Sequence, residues 1–351
     1  EVIETIQVGW MGPLTGDAAV YGDPLKKTIE LALEEINEAG GINGRDLKVV
    51  YEDGQCNGAD ATSAAQKLIS VDKVRVIIGG FCSGESLAAV SVTEKAGVFL
   101  LSPGSSSPDL TSISSMFART YPSDAAQGSV LAEVAYNDKG WRSVVVIQEQ
   151  TDYSLGLYTA FADEFKKLGG KVKKEEFSTE INDFRTIISK SQNEKPDAVF
   201  LVVQTPASGD RILTQMKELN WNPQLLVSDI LTDPAFVAEN ADILEGAFAA
   251  IFALDEGNTK FGKMVAAYKA EYGEDVPFQA YAQTEYDAVY ILRDAILEVG
   301  YDADKIAQWF RDVKDWEGAS GLITIGDDGD RDAGHSPQEI KGGVLVPYSS
   351  Q

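Results

Sequence analysis

Short apolar runs without alternation recur along the chain, each followed by an amphipathic stretch, and this pattern limits the fold more than any other feature. The runs 6–10, 47–51, 74–78 and 98–101 are continuous, so both faces of each strand must be covered, as in a parallel sheet with helices on both sides. Between the first two, 24–39 reads as a helix. Pro24 stands near its start, Leu25, Ile29, Ala32, Leu33 and Ile36 return at helical spacing, Lys26 faces Glu30 one turn on, and Gly40-Gly41 ends it. The unit is βαβ.

A second series starts after Tyr121-Pro122. Strands are expected at 144–148, 171–177, 198–203 and 225–228, and helices at 154–168, 184–192 and 210–219. Two doubly wound α/β lobes follow, in keeping with 351 residues and a usual domain size. The helix-rich stretch 260–313 brings no new strand series and is expected to return to an existing lobe. The resulting expectation is a first lobe of 1–121 plus 250–326 and a second of 122–249 plus 327–351, with the ligand cleft between them.

Charge and cysteine content narrow the function. A net charge of −25 repels nucleic acid and anionic membrane surfaces, both of which need clustered Lys and Arg. No apolar run approaches the roughly 20 residues needed to span a bilayer. Residues 1–5 lack a basic region and an apolar region, so a secreted form is expected to have lost its signal peptide. The two cysteines, Cys56 and Cys82, have no zinc-type spacing. If bonded, they close a loop worth about 3 kcal/mol and place the chain in an oxidising compartment.

Ligands of open α/β sheets bind beyond the carboxyl ends of the strands. Two adjacent loops there are rich in Gly and hydroxyls: Gly79-Gly80-Phe81-Cys82-Ser83-Gly84-Glu85-Ser86 and Ser102-Pro103-Gly104-Ser105-Ser106-Ser107-Pro108. Free backbone N–H groups and hydroxyls suit a carboxylate, although each Ser could equally be a helix cap. In the second series, Thr151, Asp152 and Tyr153 follow one strand and Asp229 ends another. An aromatic face with a carboxylate suits an ammonium group, whereas Asp229 alone could be a cap. An anion site on one lobe and a cation site on the other fit a zwitterion.

Over nearly its whole length the chain resembles the type I periplasmic binding proteins of the leucine/isoleucine/valine-binding family. The resemblance is carried by Met11-Gly12-Pro13-Leu14-Thr15-Gly16 with Tyr21-Gly22, by Gly40-Gly41-Ile42-Asn43-Gly44-Arg45, by 76–80, Cys82-Ser83, Ser102-Pro103 and Tyr286-Asp287-Ala288-Val289-Tyr290. It implies two lobes joined by hinge strands that close on a free aliphatic amino acid. Ser83, Gly104, Ser105 and Ser106 would hold the carboxylate and Tyr153 and Asp229 the amine, and Cys56 and Cys82 would form a disulfide. Tyr21 and Tyr281 would line the side-chain pocket, and Thr205 would give a small polar wall where several members have an aromatic residue. Asp229 is shorter than the family's frequent Glu. The implied protein is a periplasmic or extracellular monomer without enzymatic activity or cofactor, partnered by a membrane ABC permease. The same clamp could instead serve a sensor, or take another small amino acid, an amide or a carboxylate.

Two competing readings concern chemistry. Gly80-Phe81-Cys82-Ser83-Gly84 matches a strand-to-helix nucleophile elbow with Cys for Ser, and His335, the sole histidine, follows it in hydrolase order; His335 otherwise reads as an exposed loop residue. Asp328, Asp330, Asp332, Ser336 and Glu339 occupy positions 1, 3, 5, 9 and 12 of a calcium loop, but Ala333 stands at the glycine position and both flanks read as strands. The plainer alternative there is an acidic Asp-Gly turn between two strands.

Overall fold

A computed structural model describes residues 5–252 and 254–349; residues 1–4, the start of the stretch read above for a leader, lie outside them. The chain forms two compact units, Glu1–Ser123 with Leu254–Ala333, and Asp124–Ala253 with Gly334–Gln351.

The chain begins in unit 1 with β1 (Ile6–Gly12), α1 (Ala19–Glu38), β2 (Leu47–Asp53), α2 (Gly58–Ser70), β3 (Val76–Gly79), α3 (Ser83–Ala96), β4 (Phe99–Ser102) and β5 (Phe117–Arg119). These strands form one parallel sheet in the order β2-β1-β3-β4-β5, and all four residues of β3 and of β4 are buried, as continuous apolar runs require. Helix α1 starts five residues before the expected Pro24. The N–H that Pro24 lacks would have met the carbonyl of Val20, a half-exposed residue whose carbonyl can turn to water. Asn57 caps α2 by accepting from Ala59 N and Asp60 N.

Unit 2 follows with α4 (Asp124–Glu133), β6 (Ser143–Glu149), α5 (Asp152–Lys167), β7 (Lys171–Phe177), α6 (Arg185–Asn193), β8 (Ala198–Val202), α7 (Pro206–Glu218), β9 (Leu225–Val227), α8 (Pro234–Glu239), α9 (Ala241–Leu244) and β10 (Phe248–Ile251). Helix α7 begins four residues ahead of its expected start because Thr205 caps it and Pro206 occupies its first position. The chain then returns to unit 1 with α10 (Thr259–Tyr272), α11 (Gln279–Val299), α12 (Ala303–Asp312) and a small hairpin, β11 (Trp316–Gly318) and β12 (Gly321–Ile323). It ends in unit 2 with β13 (Ser336–Lys341) and β14 (Val344–Pro347). The second sheet runs β14-β13-β10-β9-β8-β6-β7, parallel from β10 to β7 and antiparallel over the last two pairs.

The division differs from the expected one at three places. Pro122 and Ser123, expected in the second lobe, belong to unit 1. Unit 1 resumes at Leu254 rather than at Ala250, because β10 stays in unit 2, paired with β13 up to Ile251. Residues 327–333, expected in the second lobe, belong to unit 1: Asp330 is ion-paired to Arg119, and the Arg331 guanidinium donates to Thr120 O and Ser320 O.

Candidate ligand-binding site

Unit 1 builds a hydroxyl-lined cradle from the loops after β3 and β4, beside the strand β1 at which the sheet order reverses. Ser102 Oγ donates to Gly80 O (2.8 Å) and accepts from Ser105 N (3.0 Å). Ser105 Oγ reaches Gly80 O (2.9 Å), Phe81 O (3.2 Å) and Ser86 Oγ (2.8 Å), so this fully buried hydroxyl serves the loop itself. Ser83 Oγ accepts from Ser106 N (3.3 Å) and Ser107 N (3.1 Å). With both lone pairs filled, the Ser83 hydroxyl has its proton to give, and the partner it suits is an acceptor such as a carboxylate. Gly104 is required on steric grounds, since a Cβ there would lie 2.4 Å from Phe81 Cδ2.

An aromatic cluster stands beside the cradle. Phe81 packs on Tyr21 (centroids 5.2 Å) and on Tyr281 (5.1 Å), Tyr281 stacks on Tyr121 (4.9 Å), and Phe278 packs on Tyr21 (4.7 Å). Phe278 holds φ 48°, a left-handed conformation that bulky residues rarely adopt, at the cap of α11. Of this cluster, the sequence named Tyr21 and Tyr281 as candidate pocket residues and did not single out Phe81, Tyr121 or Phe278. The adjacency of Phe81 to Cys82-Ser83 was the available signal.

Unit 2 brings together the expected cation pair. Thr151 caps α5 by accepting from Ser154 N (3.2 Å), which sets Tyr153 in the first turn. Tyr153 Oη donates to Asp229 Oδ1 (2.7 Å) from the end of β9, and both residues are buried. Asp229 opens a 3-10 turn and directs its carboxylate at Tyr153. Two buried groups missed by the sequence reading as members of this region are Glu149 and His335. Glu149, the last residue of β6, accepts from Gln204 N (2.7 Å) and Ser208 Oγ (3.4 Å). Burial pushes the His335 imidazole down to about 4, against the opposing charge of Asp229. Thr205 accepts from Ser208 N (3.3 Å) as the cap of α7, so its hydroxyl has a structural duty.

The hydrolase reading is not supported. Cys82 is bonded to Cys56, so it has no thiolate for an elbow nucleophile, and His335 is a buried residue of unit 2 rather than an exposed loop residue. The acidic segment is a turn closed by Gly326 N to Asp330 O (2.8 Å), with Gly329 at φ 85°. Asp330 is taken by Arg119, Asp328 accepts from Asp330 N (3.0 Å), and Glu339 is on β13 beside Lys341. Among the described residues, no group of three or more His, Cys, Asp or Glu side chains could hold a metal.

The comparison with known proteins agrees with this architecture. The model of a family described as periplasmic binding protein matches residues 5–338. The chain belongs to this family of periplasmic binding proteins. One relative, the Leu/Ile/Val-binding protein BraC3 of Rhizobium johnstonii, is 29% identical, covering 93% of this chain and 88% of its own. The leucine-, isoleucine-, valine-, threonine-, and alanine-binding protein of Pseudomonas aeruginosa is 28% identical over 93% and 87%. Among solved structures, the leucine binding protein LivK of Thermotoga maritima superposes with a TM-score of 0.89 at 28% identity, covering 98% of each chain. As a periplasmic binding protein the chain acts on a solute outside the cytoplasm, and no described helix is long and apolar enough to cross a membrane.

Proposed function

We propose that this periplasmic binding protein captures a free branched-chain amino acid, leucine, isoleucine or valine, in the periplasm or outside the cell and delivers it to an ABC permease without transforming it. The ligand carboxylate takes the Ser83 hydroxyl, the Gly104 backbone and Ser106 on unit 1. Its ammonium takes Tyr153 and Asp229 on unit 2, and its side chain lies against Tyr21, Phe81 and Tyr281. Any conformational change that accompanies binding is driven only by the ligand's differential affinity for the two forms.

The observation that carries the reading is the Ser83 hydroxyl, left as an obligate donor by two backbone N–H groups, in the same chain as a buried Tyr153–Asp229 pair. The first is built for an anion and the second for a cation. The names of the relatives support the substrate class, and the aromatic cluster supports an apolar side chain.

The test is thermal denaturation of refolded, ligand-free protein against the twenty amino acids, with leucinamide and isocaproate as analogues lacking one charged end. Ligand at one hundred times its Kd adds about 2.7 kcal/mol of stability. Stabilisation by leucine, isoleucine or valine that is lost with either analogue supports the reading; no response to any amino acid overturns it.

A further inference from the structure

The guanidinium of Arg119, at the end of β5, is fully buried and every one of its five N–H groups has a partner. Nε and Nη2 form a bidentate pair with Asp330 Oδ1 and Oδ2 (2.8 and 2.9 Å). Nη2 also donates to Thr111 Oγ1 (3.2 Å), whose own proton goes to Asp330 Oδ2 (2.8 Å). Nη1 donates to Ser105 O (3.2 Å) and Ser107 O (2.9 Å). A charged group held by a residue 211 positions away thus grips the backbone of the loop that carries Gly104, Ser105 and Ser106.

The consequence follows from peptide geometry. A trans peptide points its C=O and N–H in opposite directions, so pinning Ser105 O on Arg119 turns Ser106 N–H away from it. That N–H meets Ser83 Oγ, and Ser107 N–H meets the same oxygen. Asp330 holds Arg119, Arg119 orients the 105–107 backbone, and that backbone fills the Ser83 lone pairs and leaves the hydroxyl as a donor. A buried ion pair is a poor source of net stability but a firm geometric constraint.

We infer that Arg119 and Asp330 are positioning residues for the carboxylate subsite, an inference that rests on the amino-acid reading above. The acidic turn at 327–330 then has a purpose in ligand recognition.

Two variants test it: Asp330→Asn, and the double variant Arg119→Met with Asp330→Leu, which removes both charges should the single change leave an intolerable buried cation. Binding of L-leucine and L-leucinamide is measured by calorimetry, and amide exchange at 104–107 is measured on the ligand-free protein. The expected result is a loss of roughly tenfold or more for leucine with leucinamide little changed, so that discrimination between them collapses. The 105–107 amides should also exchange at least about tenfold faster while those of β1 and β3 stay protected. Equal weakening of both ligands, or unaltered leucine affinity, overturns the inference. If the wild-type protein binds no amino acid, the functional reading fails by itself, and the exchange result still decides whether this pair orders the loop.

Discussion

Tyr153 and Asp229 meet through a 2.7 Å hydrogen bond in which the phenol donates to Oδ1 of the carboxylate. The bond fixes the acid against a rigid ring at the first turn of α5, so no long side chain has to be ordered when a cation arrives. Removing the phenol oxygen in Tyr153→Phe should weaken leucine about 10- to 100-fold, the range of one charge-assisted hydrogen bond. Asp229→Ala should weaken it further. Calorimetry checks both, and a Tyr153→Phe protein with wild-type affinity would show that this pair does not meet the ligand.

His335 gives a prediction with a definite sign. Its imidazole titrates near 4 in the folded protein instead of its usual 6.5, because burial disfavours the charged form more than the Asp229 charge favours it. The unfolded chain takes up a proton between pH 6.5 and 4 that the folded chain refuses. Stability from this residue is therefore present above pH 6.5 and lost as pH falls toward 4, by about 3 kcal/mol in all. Urea unfolding across that window should show the loss in the wild type and not in His335→Gln. At neutral pH the imidazole is uncharged and does not compete with a ligand ammonium for Asp229. Parallel curves for the two proteins would refute the assignment.

The strand and helix series was readable because parallel strands covered on both faces must be apolar throughout, as in 76–79 and 99–102. Ser83 and Asp229 were legible as candidates because they stand just beyond strand ends, where open α/β sheets bind ligands. Less was legible where a residue's partner is distant in sequence. Nothing near Asp330 announces Arg119, and regular acidic spacing resembled a calcium loop although the carboxylates turn to separate partners. The Tyr286-Asp287-Ala288-Val289-Tyr290 motif, which helped carry the family resemblance, has a structural part. Its two phenols share Glu35 of α1, while Asp287 accepts from Ala319 N (2.6 Å) and Ser320 N (2.8 Å) to hold the β11–β12 turn.

Gly104→Ala tests the steric coupling between the anion loop and the aromatic cluster. The new methyl would meet Phe81 Cδ2 at 2.4 Å and Phe81 O at 3.0 Å, so the ring or the loop must move. Overpacking of this kind costs about 1–3 kcal/mol. The variant should melt earlier and also lose leucine affinity, because Phe81 is shared between Tyr21 and Tyr281. A lower melting temperature with undiminished affinity would separate the cluster from the ligand.

Glu85 links the disulfide loop to proton uptake with the opposite sign to His335. Its Oε1 accepts from Cys56 N (3.0 Å) and its Oε2 from Cys82 N (2.9 Å), reaching back to the cap of α3 as in half a capping box. Burial nonetheless dominates these amides and pushes the carboxyl from 4.5 up to about 7. The folded protein keeps a proton that the unfolded chain has released, so this residue's contribution is most favourable below pH 4.5 and declines by about 3 kcal/mol as pH rises to 7. Many other carboxyl groups titrate in the same region, which makes the difference between wild type and Glu85→Gln the informative quantity. That difference should change with pH across 4.5 to 7 and be level above it, with the disulfide kept oxidised in both proteins. A difference that is flat from pH 4.5 to 8 would mean that the amides of Cys56 and Cys82 outweigh burial and that Glu85 is already charged at the acid end of the window.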